Sequence, residues 1–434
     1  MHNRSRYRFG PLICLLLSGT GMLSVTTLQA EDVLSLDDAV SDALTGNPGL
    51  AAIEARALAL AELPHQVGAL PDPSLSLNVA NLPLHSFSFT QEAMTQLQVG
   101  ISQALPYPGK LALRSQAAVQ EAAAARAEVE EKRQHLIRDV KTIWWNLFYL
   151  DRALEIIILN QALLQEVVSV AETRYQVGRG PQQDILLAQL ELAKLRENAI
   201  RIKNVRENEE SRLNVLIDHP PAGPIALPAA VDENLPAIQS TQLLQLHAET
   251  SRQVLTAQQG RMHAARSRVE LAKKDYSPDF RIGAIYGLRS GNNPDGSSRA
   301  DFASIMFSMN LPIYASSKQD RAVDQRNAEW MQQKYKLDDQ HNQVAAEVVQ
   351  ARTDYQRGGE QVRLFRQEIL PQARQTVEAM LAGYQVGNID FLSMIRSQTI
   401  LFDHETQYWK ALSTTNQALA RLVAAVGAEE KIYE

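Results

Sequence analysis

From Leu136 onward the apolar residues alternate between spacings of four and three: Leu136, Val140, Ile143, Leu147, Leu150, Leu154, Ile157, then Leu164, Val168 and Ala171. This is the seam of a coiled coil or of an ordinary helical bundle. No proline interrupts Lys110 to Gly178, so the pattern predicts one helix of 69 residues, roughly 100 Å at 1.5 Å per residue. Gly178 to Pro181 predict a tight turn, with glycine closing one helix and proline opening the next. The return helix carries its own seam: Ala188, Leu192, Leu195, Ala199, Ile202, Leu213 and Leu216. A second hairpin is predicted from about Lys318 to Gly387 and from Phe391 to Val426, with Gly358-Gly359 and Pro371 expected to bend or break its first arm.

Four other stretches alternate with period two, the strand signature. Leu75, Leu77 and Val79 are set against Ser74, Ser76 and Asn78, and Leu97, Val99, Ile101 and Leu105 against Gln96, Gln98, Gly100 and Ser102. Later, Phe280, Ile282, Ala284, Tyr286 and Leu288 alternate with Arg281, Gly283 and Gly287, and Ala303, Ile305, Phe307, Met309 and Leu311 with Ser304, Ser308 and Asn310. Stretches of about ten residues with one apolar and one polar or small face suit tilted membrane-spanning strands. Taken alone they suit two hairpins on a soluble sheet equally well. The connections from Pro83 to Met94 and from Ser290 to Ala300 are polar, and Tyr107 and Tyr314 stand just past strand ends, where interfacial aromatics sit.

Both segment types occur twice, in the same order. Tyr175-Gln176-Val177-Gly178 recurs 209 residues later as Tyr384-Gln385-Val386-Gly387, and Gln189 recurs as Gln398 at the same offset. Leu105-Pro106 matches Leu311-Pro312 at an offset of 206, and Pro73 matches Pro278 at 205. The chain therefore reads as one unit written twice. Residues 31–217 and 240–434 each hold a helix, two strands and a long helical hairpin. Residues 218–239, with Pro220, Pro221, Pro224, Pro228 and Pro236, form the linker.

The N-terminus changes how the composition is read. Arg4, Arg6 and Arg8 precede an apolar run beginning at Leu12, and Leu28-Gln29-Ala30 ends it, so residues 1–30 read as a secretory signal peptide cleaved after Ala30. The single cysteine, Cys14, lies inside it. Lipidation there is disfavoured by the short preceding stretch and by Leu12-Ile13. With three arginines gone, 43 basic groups become 40 against 49 acidic ones, a net of −9 instead of −6. No basic excess points to a nucleic-acid partner, and no cysteine remains for disulfides. After residue 30 no continuous apolar run of 18 residues appears, which argues against an inner-membrane helical transporter.

In each unit the strands lie at one end of the long helices and the Tyr-x-x-Gly turn at the other. Four strands cannot span lipid as an open sheet, because edge backbone groups would go unpaired. If they span, the protomer must oligomerise: a dimer supplies about eight strands and a filled interior, a trimer about twelve and room for an aqueous lumen.

Over essentially the whole mature chain the sequence resembles the TolC-like outer-membrane efflux family. The resemblance rests on Gln103-Ala104-Leu105-Pro106-Tyr107-Pro108-Gly109-Lys110, the two Tyr-Gln-Val-Gly turns, Asp184-Ile185-Leu186-Leu187-Ala188-Gln189 and Gly387-Asn388-Ile389-Asp390-Phe391-Leu392. It implies a mainly α fold with transmembrane β: a homotrimer with a twelve-stranded outer-membrane β-barrel, four strands per protomer, continuous with a periplasmic coiled-coil α-barrel. It also implies a passive exit duct in a Gram-negative envelope, whose closed tip opens when a periplasmic adaptor (membrane fusion) protein and an inner-membrane transporter of the resistance-nodulation-division (RND) type engage it. The Pro-Tyr-Pro-Gly-Lys segment and Leu370-Pro371-Gln372-Ala373 are most similar to the branch serving heavy-metal pumps. The competing reading is a periplasmic coiled-coil adaptor or scaffold that forms no channel; an enzyme ranks third.

The resemblance places the gate and adaptor contacts at the helix tips, at Tyr175, Gly178, Asp184, Tyr384, Gly387, Asp390, Ser393 and Arg396. Asp184 and Tyr384 match positions that link neighbouring hairpins in the closed state; alternatively Tyr384 packs at a helix end and Asp184 caps the return helix. Where the family often has acidic residues, this chain has Ser393 and Arg396, so a cation-selecting carboxylate ring does not carry over. Arg396 either lines the pore or turns outward to an acid on a neighbouring helix. No catalytic constellation, cofactor motif or metal-ligand spacing is expected: His404-Glu405 lacks a second histidine, His85 and Met94 only flank a loop, and Trp144-Trp145 read as packing.

Overall fold

The computed structural model describes residues 33–433; the signal-peptide reading and Cys14 lie outside them. The order is α1 (Leu36–Gly46), α2 (Pro48–Gly68), β1 (Ser74–Ala80), β2 (Gln96–Leu105), α3 (Lys110–Gln176) and α4 (Gln182–Leu216). It repeats as α5 (Thr241–Ser251), α6 (Gln253–Lys274), β3 (Phe280–Leu288), β4 (Phe302–Met309), α7 (Gln319–Leu364), a π turn (Phe365–Ile369), α8 (Leu370–Gln385) and α9 (Phe391–Val426).

The helix expected ahead of each strand pair is two short helices. In the first unit Pro48 forces Asn47 out of the helix (ψ 114°). Asn47 Oδ1 then accepts from Leu50 N at 3.0 Å, and Asn47 Nδ2 donates to the Leu216 carbonyl at the end of α4, also at 3.0 Å. The second unit breaks at Arg252 (ψ 116°), without a proline. Arg252 Nη1 donates to the Ala425 carbonyl at the end of α9 at 3.0 Å, as its side chain reaches Glu131 at 2.9 Å and Glu347 at 2.8 Å. Both breaks thus satisfy a terminal carbonyl of the returning helix.

The strands form one antiparallel sheet in the order β1-β2-β3-β4. Its register aligns Leu77 with Val99, Val99 with Tyr286, and Ile282 with Phe307, so the apolar positions of all four strands share one face. That face lies open: Leu75 is 72 % exposed, Leu77 71 % and Ile305 88 %. The opposite face carries Ser74, Ser76, Asn78, Gln98, Gly100, Ser102, Gly283 and Gly287. Strand lengths of 7, 10, 9 and 8 residues fall slightly short of the expected ten in three cases. β1 stops because Asn81 turns left-handed (φ 56°) and accepts from Thr95 Oγ1 at 2.7 Å, closing the loop. Strands β1 and β4 are the open edges of this sheet.

Helix α3 runs unbroken for 67 residues, close to the expected length. It packs against α4 and α9, and α9 packs against α7 and α8, leaving α4 and α7–α8 on the outer edges. Separate apolar clusters stack along this length, one around Trp144, Leu147 and Phe148, one around Leu150 and Ile157, and one around Leu164 and Ala188. Although no continuous apolar run of 18 residues occurs in it, α3 does contain a stretch long and apolar enough by composition to cross a membrane. Its seam residues face the bundle interior, and Ile158 and Leu159 on the other side stay exposed.

Of the two breaks predicted in the second hairpin, one is found and one is not. Gly358-Gly359 sit inside unbroken α7, and Gly358 is there for closeness, since a Cβ would collide with Thr415 Oγ1 on α9. The irregularity lies at the other expected place, a π turn that ends two residues before Pro371. Proline has no N–H to give the preceding turn, and the helix accommodates this by bonding Leu370 N to Phe365 O, five residues back. Trp144 and Trp145 are packing residues: both are buried, Trp144 stacks on Phe148 at 5.8 Å, and its Nε1 donates to the Leu34 carbonyl at 3.1 Å.

Candidate functional site

The two Tyr-Gln-Val-Gly turns have the same backbone. Gly178 (φ +74°) and Gly387 (φ +81°) occupy the left-handed region that glycine adopts without strain. Gly178 N donates to Tyr175 O and Arg179 N to Arg174 O, at 2.9 and 2.8 Å. In the second turn Gly387 N donates to Tyr384 O and Asn388 N to Gly383 O, at 3.1 and 2.9 Å. Each pair is a Schellman closure.

Side chains distinguish the copies. At each tip, the position four before the turn glycine approaches the position two after it. In the first turn these are Arg174 and Gly180, whose added Cβ would stand 3.2 Å from Arg174 Cβ. In the second the small residue has moved to the other side: Gly383 faces Ile389, and a Cβ on Gly383 would come 2.5 Å from Ile389 Cγ1. Glycine eases the approach in both turns, and the two turns place it at opposite partners.

Tyr175 and Tyr384, equivalent in sequence, have different surroundings. Tyr175 is 48 % exposed, whereas Tyr384 is 9 % exposed and sits in a cluster with Leu164, Val168, Ala188, Leu192 and Met394. Its ring meets Phe391 edge-on at 5.8 Å. The Arg174 guanidinium lies over the Tyr384 ring at 4.7 Å, a cation–π contact that joins the end of α3 to the end of α8. Arg174 was not among the expected site residues; it lies just upstream of the first Tyr-Gln-Val-Gly, opposite the glycine of the second.

Asp184 occupies the first turn of α4, half-buried, behind an N-cap, Pro181, that supplies no side-chain bond. Burial pushes its carboxyl above the usual range, Arg174 pulls it down, and the Asp390 charge pushes it up again. Asp390 N-caps α9, accepting from Ser393 N at 2.9 Å and Ser393 Oγ at 2.7 Å, and these bonds hold its pKa low. The fold therefore brings Asp184, Asp390 and Ser393 together around the tips. Among the described residues no hydrogen bond joins Asp184 to Tyr384 within the protomer, and Arg174 stands in electrostatic reach of both.

Arg396 is exposed on α9, beside a groove lined by Leu187, Glu191, Lys194, Phe391, Leu392 and Thr399. No acidic partner lies within ion-pair distance of it among the described residues of this protomer. Deeper between α3, α4 and α9 is a cavity of about 190 Å³, lined by Leu164, Lys194, Asn198 and Phe402. At its edge Gln398 Nε2 donates to Asn160 Oδ1 at 3.0 Å, and Asn160 Nδ2 donates to the Ile156 carbonyl at 2.9 Å. The remaining candidates are structural: Glu405 pairs with Arg374 at 3.0 Å, His404 lies against Phe365, and His85 hydrogen-bonds Gln91.

A family model described as "Outer membrane efflux protein" matches residues 39–218 and 243–428. Among solved structures, the outer membrane protein VceC of Vibrio cholerae is 20 % identical with a TM-score of 0.76, covering 91 % of this chain and 96 % of its own. The CmeC outer membrane channel of Campylobacter jejuni is 14 % identical with a TM-score of 0.76, covering 96 % and 94 %. CusC, whose structures concern transmembrane channel formation, is 16 % identical with a TM-score of 0.76, covering 91 % and 92 %. None of the curated proteins compared with the sequence matches it.

Proposed function

Because this chain belongs to the outer membrane efflux protein family, it is an outer-membrane exit duct with a large periplasmic helical portion, and we propose that it works as a passive homotrimer fed by an adaptor and an inner-membrane pump. The observation that carries the reading is the open apolar face shared by all four strands, joined to a helix of 67 residues. In water such a face is a liability; in lipid it is what a spanning sheet needs. The open edges β1 and β4 cost several kcal/mol per unpaired group in lipid, and three copies closing head to tail remove them with about twelve strands and an aqueous lumen.

The helical edges support the same assembly. Leu186, Leu190 and Ile200 stand exposed along α4, and Tyr335, Val349 and Leu364 along α7, on opposite flanks of the protomer. Unlike flanks meeting in rotation give a closed ring. Energy comes from an inner-membrane transporter of the RND type, with a periplasmic adaptor engaging the tips around Tyr175, Asp184, Tyr384, Asp390, Ser393 and Arg396. Heavy-metal ions are the proposed cargo, on the resemblance of Pro106-Tyr107-Pro108-Gly109-Lys110 and Leu370-Pro371-Gln372-Ala373 to that branch. Membrane fractionation with gel mobility before and after heating tests the assembly: a membrane-embedded trimer dissociated by heat is expected. A soluble monomer would overturn it in favour of a periplasmic scaffold.

A further inference from the structure

We propose that Arg174 is the positioning residue that holds the two hairpin tips of one protomer together, acting on the ring of Tyr384 and not on its hydroxyl; this rests on the duct reading above. The guanidinium comes from the first unit and the aromatic ring from the second, 4.7 Å apart. Nothing equivalent forms in the other sense: the counterpart of Arg174 is Gly383, and the counterpart of Tyr384 is the exposed Tyr175. The first turn is also cleared for this side chain, because Gly180 leaves the space beside the Arg174 stem empty.

Three features make the contact a latch and not a decoration. Tyr384 is buried in the cluster shared by α3, α4 and α9, so parting α8 from α3 both lifts the cation off the ring and exposes the tyrosine. Phe391 braces the ring edge-on, fixing the face that Arg174 covers. Arg174 also offsets, at Asp184, the burial and the Asp390 charge that raise its carboxyl pKa. Removing the guanidinium weakens both the aromatic contact and the charge balance.

The test uses the full-length trimer in detergent and in planar bilayers. Spin labels at Val177 and Val386, both exposed at the turns, report the separation of the tips, and basal conductance reports the open fraction. Arg174→Gln is expected to lengthen and broaden the distance distribution and to raise the open fraction on the order of five- to thirty-fold. Arg174→Lys should fall between Gln and wild type. Tyr384→Phe, which keeps the ring, should open the tips far less than Tyr384→Leu, and Tyr384→Leu should resemble Arg174→Gln without adding to it in the double variant. Wild-type distances in Arg174→Gln, or independent multiplication of the two effects, would overturn the latch. So would opening by Tyr384→Phe as large as by Tyr384→Leu. Should Tyr384→Leu fail to assemble, the Arg174 pair and Tyr384→Phe decide. A wild-type protein that forms no pores sinks the duct reading; conducting wild type with an unchanged Arg174→Gln sinks the latch alone.

Discussion

Lys110 Nζ lies 3.0 Å from Asp279 Oδ1, tying the first residue of α3 in one unit to the residue before β3 in the other. The Lys110 side chain is only 2 % exposed, and Asp275 takes a second contact at 2.9 Å. Tyr107 N donates to the same Asp279 oxygen at 2.8 Å, so the sheet and the helices are clamped across the repeat at their junction. Lys110→Met should cost about 1–3 kcal/mol, less than a fully buried pair because both carboxylates are partly solvated. The temperature at which the trimer dissociates on gels should fall, and Lys110→Arg should recover part of the loss. An unchanged temperature in Lys110→Met would contradict the clamp.

Adjacent glycines in α7 should respond oppositely to alanine. A methyl on Gly358 meets Thr415 in the α7–α9 contact, so Gly358→Ala should destabilise by about 1–3 kcal/mol through overpacking. Gly359 has only Leu235 Cδ1 at 3.6 Å, an ordinary contact. Gly359→Ala should be neutral or stabilise by up to about 1 kcal/mol through helix propensity. Thermal unfolding followed at a helix-sensitive wavelength separates the two; equal effects would refute the assigned role of Gly358.

The fold around Asp184 should gain stability in mild acid. The Asp184 pKa is raised above 3.8, by burial first and by Asp390 as well, against the pull of Arg174. Between 3.8 and its raised value the folded tip holds a proton that the unfolded chain has lost, so stability falls as pH rises through that window. Asp390, lowered by its bonds to Ser393, stays ionised there. The thermal unfolding midpoint should therefore rise as pH is lowered from neutrality into the range just above 3.8, and Asp184→Asn should flatten that limb. A profile identical to wild type in Asp184→Asn would place the titration elsewhere.

Arg396 is exposed and has no ionic partner among the described residues of the protomer, the state expected of a residue at the lumen or at a protomer boundary. If it lines the lumen, Arg396→Asp should shift the reversal potential in a salt gradient toward cation selectivity. An unmoved reversal potential would assign it to the boundary, where an acid of the next protomer would pair with it.

Much of this architecture is written in two periods. Seven-residue spacing in Leu136 to Ala171 and two-residue spacing in Leu75 to Val79 follow from backbone geometry, so helix, strand and buried face could be read together. What escaped depends on contacts between distant residues. The break at Asn47 had a local signal in Pro48, whereas the break at Arg252 has none, since its ion pairs to Glu131 and Glu347 exist only after folding. Gly358-Gly359 looked like a helix breaker because sequence cannot distinguish a flexible glycine from one placed for close helix packing. At the tips the duplicated motif drew attention to Tyr384 and Gly387 and the family resemblance to Asp390, but Arg174 stands outside both and acquires meaning only once Tyr384 is brought beneath it.

Single-channel recording of the purified full-length protein in planar lipid bilayers tests the central claim most directly. Discrete, long-lived conductance steps from material that migrates as a heat-dissociable trimer are predicted. They should be lost when Leu77 and Ile305 on the exposed apolar face are both replaced by aspartate, which bars insertion. Absence of conductance from membrane-inserted wild-type trimer, or full conductance from the doubly charged variant, would contradict the account.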